Sequence, residues 1–309
     1  MRSNEKPTNF WLVEFFSLMK VYHPKQSLRA LYYGMRWRAR RLLRMKEKPN
    51  TSVIASGVEK AIERHERVCR TLLRAIHDPA LLKGAIVAEI GPGDCLAAAD
   101  MMLGLGAKHI HLIDYHPIPV NGIQLEILTK LATDATLPNQ VDILTADPIP
   151  HLRMDKATAH VGLLEDIGIP EPVDLIYSFD VLEHVEDLGG FFGWCGRMTK
   201  PQGYQIHKFD LSGHEFFEDP IPPLDFQTHP TWLFNLIFPK FRRAAGHFAD
   251  EIFNSLTAHG FEIVDIAVLR KADTAYLNRI WPDLRPEAKV RPLNILALLD
   301  VVVCARRTK

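Results

Sequence analysis

The sequence predicts an α/β fold built on an open sheet, preceded by a basic helical arm. Three observations carry this. Ala85-Ile-Val-Ala-Glu-Ile-Gly-Pro-Gly-Asp94 is an apolar run that ends in an acid and two glycines. His109-Ile-His-Leu-Ile-Asp114 is a second apolar run that stops on a carboxylate. The stretch between them, Leu96 to Leu105, reads as a helix closed by Gly104 and Gly106. Strand, tight glycine turn, helix, strand and acid in that order make half of a ligand-binding sheet. Its parallel strands open their carboxyl ends on one edge.

The remaining elements follow along the chain. Residues 1–50 carry 12 Lys and Arg against 3 Asp and Glu, so the zero net charge hides a strongly basic arm and an acidic body. Ser27 is placed to cap a helix starting at Leu28. Leu28, Leu31, Tyr32, Met35 and Leu42 share one side of it, with Arg29, Arg36, Arg40 and Arg44 largely elsewhere. Such a helix suits docking on the protein's own acidic body, or contact with an anionic membrane surface. Nucleic acid is the weaker third option, because no recognised RNA- or DNA-binding motif accompanies the charge. A second helix spans Gly57 to Ile76, with Val58, Ile62, Val68, Leu72 and Ile76 as its buried stripe.

After the second strand, Val141 to Leu144 is expected as strand three and Val173 to Tyr177 as strand four. Ser178, Phe179 and Asp180 lie at the carboxyl end of the latter. A helix from Asp187 to Met198 leads into the turn Lys200-Pro-Gln-Gly203 and then strand five, Tyr204 to Phe209. Residues 215–247 are rich in proline and aromatics and suit an acceptor-side insert or lid. Phe248 to His259 is helical and ends at Gly260, Phe261 to Leu269 is strand six, and Ile295 to Cys304 is a final buried strand.

Composition excludes several classes. The hydrophobic content of 47% is that of a globular protein. The four cysteines form no C-x-x-C pair, so neither a zinc site nor a disulfide framework is indicated, and a reducing cytoplasm is the default compartment. No metal is expected. No apolar run reaches the roughly 18–20 residues that span a bilayer. The segment Phe10 to Met19 is short and contains Glu14, and no secretory signal pattern is evident. The arm would allow peripheral contact at the inner membrane face.

The glycine turn says which ligand fits. A dinucleotide fingerprint wants a small third residue, but Gly91-Pro92-Gly93-Asp94-Cys95-Leu96 places Leu96 there. Glu89, two residues before the first glycine, suits a cation better than a pyrophosphate, because like charges repel.

These residues resemble motif I of the class I S-adenosylmethionine (SAM)-dependent methyltransferases, acid-x-Gly-x-Gly-x-Gly, with Cys95 where the third glycine often stands. Asp180-Val-Leu-Glu-His-Val185 is similar to the fourth motif of small-molecule members. Lys200-Pro-Gln-Gly203 resembles the turn before strand five, with Gln202 replacing one glycine. His207-Lys-Phe-Asp-Leu-Ser-Gly-His214 resembles a bacterial branch with Asp-Leu-x-x-His after strand five. The resemblance implies a Rossmann-like seven-stranded sheet, helices on both faces, and the last strand antiparallel between strands five and six. It covers residues 51–309, leaving 1–50 as the extension.

It further implies SAM as cofactor, held by Glu89, Gly91, Pro92, Gly93, Asp94, Asp114, Tyr115, Asp147, Ser178, Phe179 and Asp180. Asp114 would take the ribose hydroxyls, Tyr115 would pack on the adenine, and Asp147 would sit near its amino group. His214 and Asp210 are the candidate catalytic residues, and Trp232 and His184 the candidate substrate contacts. The expected reaction is O-methylation of a small molecule or glycan. The alternatives are a tRNA or protein methyltransferase, a non-catalytic SAM-binding protein and, behind these, an NAD-dependent oxidoreductase.

Overall fold

The structure is a computed structural model. It describes residues 57–145, 149–213, 222–237 and 246–308, and positions 27, 28, 31, 32, 35, 36, 38, 39, 42 and 43 of the arm. In chain order, α1 is Val58–Ala75, β1 Ile86–Ile90, α2 Ala97–Gly104, β2 His109–Asp114, α3 Gly122–Ala132, β3 Leu144–Thr145, β4 His151–Leu152 and β5 Ala157–Val161. Then come β6 Val173–Phe179, α4 Leu188–Met198, β7 Thr199–Asp210, α5 Thr231–Ile237, α6 Ala249–Ala258, β8 Phe261–Lys271, α7 Thr274–Ile280 and β9 Leu298–Arg307.

Seven strands form one sheet in the order β5-β2-β1-β6-β7-β9-β8. The first five of these are mutually parallel. β9, the last strand of the chain, runs antiparallel between β7 and β8, as expected. Helices cover both faces. One core layer joins β1 and β2 to α1, α2 and α3 through Val87, Leu72, Met101 and Leu128. The other joins β6 and β7 to α4 and α6 through Ile176, Phe192, Phe209 and Ile252. The turn before strand five lies inside β7 as an irregularity. Thr199 pairs with Val173 and Tyr204 with Leu175, and Gln202 adopts φ +64° between them.

Strand three differs from the expectation. The sheet position beside β2 is taken by β5, while Leu144–Thr145 pairs only with His151–Leu152 in a separate two-stranded ribbon. The cause is Asp100, fully buried in the first turn of α2. Its carboxylate accepts the backbone N–H groups of Gln140 (3.1 Å), Val141 (3.1 Å), Asp142 (2.6 Å) and Ile143 (3.1 Å), and the Asn139 amide at 3.2 Å. Donors satisfied by a side chain are not available to a sheet ladder. Asp147, expected after that strand, lies outside the described residues.

A third core cluster unites the stretch after β7 with the stretch between β8 and β9. Leu224, Phe226, Leu233, Phe234, Leu277 and Leu284 are buried in it. The Arg285 guanidinium stacks 3.9 Å from the Phe234 ring, and that of Arg291 lies 3.9 Å from the Phe248 ring. The arm docks here too. Leu28 and Leu31 pack on this cluster, the Ser27 hydroxyl meets buried His229 Nε2 at 2.7 Å, and Arg38 donates to the Asn235 carbonyl at 2.7 Å. Ser27 is itself helical, so it does not cap a helix starting at Leu28; its hydroxyl is committed to His229. β7 and β8 end, and β9 begins, on the same edge of the sheet, so this helical cap stands at the carboxyl edge. No helix among the described residues is long and apolar enough to cross a membrane.

Replacing Asp100 by alanine should strip four backbone N–H groups of their acceptor. Hydrogen bonds to charged groups contribute about 1.5–3 kcal/mol each and are not additive, so a loss of at least about 3 kcal/mol is expected. Urea unfolding of Asp100→Ala checks this, and a midpoint equal to wild type would contradict the role.

Candidate cofactor and acceptor site

The chain winds from β1 outward through β2 to β5, then returns to β6 and β7 on the other side of β1. Such a reversal opens a crevice beyond the carboxyl ends of the strands at the switch point, here between β1 and β6. Glu89, Gly91, Gly93 and Asp114 lie at the carboxyl ends of β1 and β2, and Phe179 and Asp180 at that of β6.

On the β1–β2 side the glycine turn is built for close approach. Gly91 has φ +73°, and a Cβ there would stand 2.5 Å from Val181 Cγ2. Its N–H donates to the Ile113 carbonyl at 2.8 Å, which ties the turn to β2. Gly93 has φ +65° and nothing within 4 Å of its Cβ position, so that flank is open. Its N–H donates to Asp114 Oδ2 at 3.1 Å, and the His116 N–H donates to Oδ1 at 2.9 Å. Two backbone donors fix this carboxylate while each oxygen keeps further acceptor capacity. Pro92 is buried, Asp94 partly exposed, and Tyr115 is 55% exposed, its ring edge-on to His116.

Glu89 is buried and accepts a hydrogen bond from the Tyr177 hydroxyl at 2.9 Å. Burial pushes its carboxyl up to about 8, the Tyr177 bond opposes this, and the Asp114 charge adds to it. β5 ends opposite Asp114, and the Gly162 N–H bonds the Asp114 carbonyl at 3.0 Å. The loop from Gly162 to Asp166, which sequence reasoning passed over, therefore borders the same edge.

Ser178 corrects an expectation. It is fully buried, and its hydroxyl meets His207 Nδ1 at 2.8 Å while His207 Nε2 meets Gln205 Oε1 at 2.9 Å. The His207 ring packs edge-on against Phe191 and Phe192 of α4. The Ser178 side chain thus faces the helix layer and leaves only backbone to line the crevice.

On the β6–β7 side, a charged network occupies the strand ends. Asp180, at φ +56°, pairs through Oδ1 with Lys208 Nζ and through Oδ2 with Arg64 of α1 at 3.4 Å. Lys208 is buried, lies 2.7 Å from Asp300 on β9 and stacks over the Phe179 ring at 5.2 Å. Burial alone would lower the lysine, but Asp180 and Asp300 outweigh it and hold its ammonium above the ordinary range. Glu183, wholly buried, accepts the Asp210 N–H at 3.3 Å, and burial with the nearby Asp180 charge holds its carboxyl well above the usual range.

Asp210 also departs from expectation. Both of its oxygens accept from Arg270, at 2.9 and 3.0 Å, and one also takes the Ser212 N–H. Asp210 is thus committed to a guanidinium and a backbone N–H of the following loop. His214 lies outside the described residues. His184 sits partly buried in the turn after Asp180, its N–H on the Val181 carbonyl. Trp232 is 55% exposed on α5 of the cap. Arg64 and Lys208 were missed; a lysine inside the apolar run Ile206 to Phe209, beside downstream acids, was the available signal.

The donor set suits SAM. Open glycine geometry and an anchored strand-end carboxylate match a ribose, while Asp94 and Asp114 around the turn favour a cation and repel a pyrophosphate. No group of three or more His, Cys, Asp or Glu that could hold a metal occurs among the described residues.

Residues 88–206 match a family model described as a methyltransferase domain. No curated protein sequence matches the chain. Among solved structures, it is similar to a SAM-dependent methyltransferase from Mesorhizobium loti, at 17% identity over 81% of this chain and 100% of that one, TM-score 0.44. It is also similar to the magnesium protoporphyrin IX methyltransferase of Synechocystis with bound S-adenosylhomocysteine, at 15% identity, 91% and 99% coverage and TM-score 0.46. A third is the N-methyltransferase NodS of Bradyrhizobium japonicum, at 12% identity, 80% and 96% coverage and TM-score 0.43.

Glu89 gives the site a pH signature. Its folded carboxyl titrates near 8 against an ordinary value of 4.5, so the folded state keeps a proton that the unfolded chain has shed. Stability of the ligand-free protein should therefore fall as pH rises from about 4.5 to 8, by an amount on the order of a few kcal/mol. Denaturant unfolding at several pH values in this window tests it. Glu89→Gln should flatten that limb, and an unchanged slope would contradict the assignment.

Proposed function

We infer that this chain, whose residues 88–206 match a methyltransferase-domain family model, is a SAM-dependent methyltransferase that methylates an oxygen of a small molecule or glycan. The observation that carries the cofactor half is the Gly93–Asp114 hydrogen bond at 3.1 Å beside an open glycine flank. When bound, SAM supplies a methyl group already activated on a sulfonium. The chain has to bind it, orient an acceptor in line with it and, for a hydroxyl, accept a proton.

In this reading residues 51–309 form the catalytic domain and 215–247 the acceptor-side insert. Glu89, Gly91, Pro92, Gly93 and Asp94 cradle the cofactor, Asp114 holds the ribose, and Tyr115 and Asp147 border the adenine. Phe179 and Asp180 form the floor between cofactor and acceptor. His214 is the base: Asp180 and Asp210 are each bound to a cation, and the chain reaches position 214 directly after Gly213, whose N–H is fixed to the Pro223 carbonyl. Trp232 and His184 contact the acceptor, the exposed indole offering an aromatic face to a sugar ring.

Calorimetric titration tests the cofactor. SAM and S-adenosylhomocysteine should bind, NAD should not, and Asp114→Ala should weaken binding by tenfold or more, about 1.4 kcal/mol. Binding of NAD alone would overturn the reading. Turnover of hydroxyl acceptors should drop roughly 10²–10⁴-fold in His214→Ala, with loss of the limb near an imidazole pKa of about 6.5. Unchanged turnover removes His214 as base.

The arm supports a second element of this reading, contact with an anionic membrane surface. Its helix docks by Ser27, Leu28 and Leu31, leaving Tyr32, Met35, Leu42 and Leu43 exposed in an arginine-rich stretch. An apolar strip beside arginines fits a bilayer interface better than a phosphate backbone. The full-length protein should sediment with phosphatidylglycerol vesicles, and Met35→Glu with Leu43→Glu should abolish this. Equal sedimentation of the double variant, or binding to an oligonucleotide in place of vesicles, would remove the membrane reading.

A further inference from the structure

Helix α1 shares a core layer with the glycine turn, packing with Cys95 and Leu96. Its inward residues Ala61, Val68, Cys69 and Leu72 are buried, and among this otherwise apolar set stands His65, 8% exposed. His65 Nε2 is buried and has no hydrogen-bond partner. Buried polar atoms are nearly always paired, so an unpaired ring nitrogen calls for a specific explanation.

The surroundings of His65 point to the ligand crevice. Asp94, the residue directly after Gly93, acts on it electrostatically. The preceding residue, Arg64, is turned about 100° around the helix and reaches Asp180 on the opposite side of the glycine turn, at 3.4 Å. Consecutive residues of α1 thus stand beside the glycine turn, His65 near Asp94 and Arg64 paired with Asp180. Burial, with help from Arg64 and against Asp94, lowers the imidazole pKa to about 4, so the ring is neutral near pH 7. A neutral imidazole protonated at Nε2 is a hydrogen-bond donor there.

The crevice supplies many acceptors and few donors for an anion. Asp94, Asp114 and Asp180 lie beside the turn. These acids suit the ammonium and sulfonium of SAM, but its amino-acid arm also ends in a carboxylate, which they repel. Arg64 is engaged with Asp180. Resting on the reading of SAM as cofactor, we propose that His65 is a cofactor-binding residue whose Nε2–H donates to the carboxylate of the amino-acid arm.

Calorimetry with two ligands tests this in the full-length protein. S-adenosylhomocysteine carries the amino-acid arm, whereas 5′-methylthioadenosine keeps the adenosine and thioether and lacks it. His65→Ala should weaken S-adenosylhomocysteine binding about 10- to 100-fold and leave 5′-methylthioadenosine affinity unchanged, which also shows that the variant is folded. His65→Gln, which retains a side-chain N–H, should recover most of the loss. Unchanged S-adenosylhomocysteine affinity in His65→Ala, or an equal loss for both ligands, overturns the proposal. A wild-type protein that binds neither ligand overturns the SAM reading itself, and the assignment of His65 with it.

Discussion

The carboxyl edge of the sheet depends on one buried cation. Lys208 stands on β7 between Asp180 at the end of β6 and Asp300 at the start of β9, with the Phe179 ring beneath its ammonium. Glu183 accepts the Asp210 backbone N–H beside this network and feels the charges of Asp180 and Lys208. Parallel strands that end together on acids would bring like charges together, and the lysine removes that penalty at the junction of three strands. Buried pairs of this kind are weak net stabilisers, but losing one partner leaves an uncompensated charge and costs about 3–5 kcal/mol. The network therefore fixes geometry more than it adds stability. It sets the floor on which the two halves of the crevice meet.

Around that floor the chain divides its labour. β1 and β2 supply a rigid, hydrogen-bonded glycine turn with an open flank. β6 and β7 supply a closed, charge-balanced surface, and the cap built from the stretches after β7 and β8 stands at the same edge. The cap is assembled from segments far apart in sequence, and its cohesion comes from arginines lying on aromatic faces as well as from aliphatic packing. α1 reaches the β6 end through the Arg64–Asp180 pair.

The parts legible in the sequence were those whose information is local. β1, β2 and β6 are apolar runs ended by glycine or acid, and α2 and α6 are bounded by glycines. Strand three failed for a non-local reason: Val141 to Leu144 has the right composition, but its N–H groups belong to Asp100, about forty residues earlier. The strand that takes the position, Ala157-Thr-Ala-His-Val161, is an edge strand with an alternating exposed face, and so carries a weak apolar signal. Ser178 failed likewise, because which face it presents depends on His207 in the neighbouring strand. Position at a strand end was readable; the direction of a single side chain was not.

Partner counting separates acids that look alike in sequence. Asp100 spends both oxygens on five donors and has nothing left for a ligand. Asp210 is held by a guanidinium and a backbone N–H, and Asp180 by two cations. Glu183 is wholly enclosed, and Glu89 is enclosed and engaged with Tyr177. Asp114 differs from all of these. It is partly exposed, at the open end of β2, and is fixed by two backbone donors that take one lone pair from each oxygen. Such a carboxylate is oriented and keeps acceptor capacity on both oxygens. A carboxylate's use at this edge is thus set by how many donors already hold it.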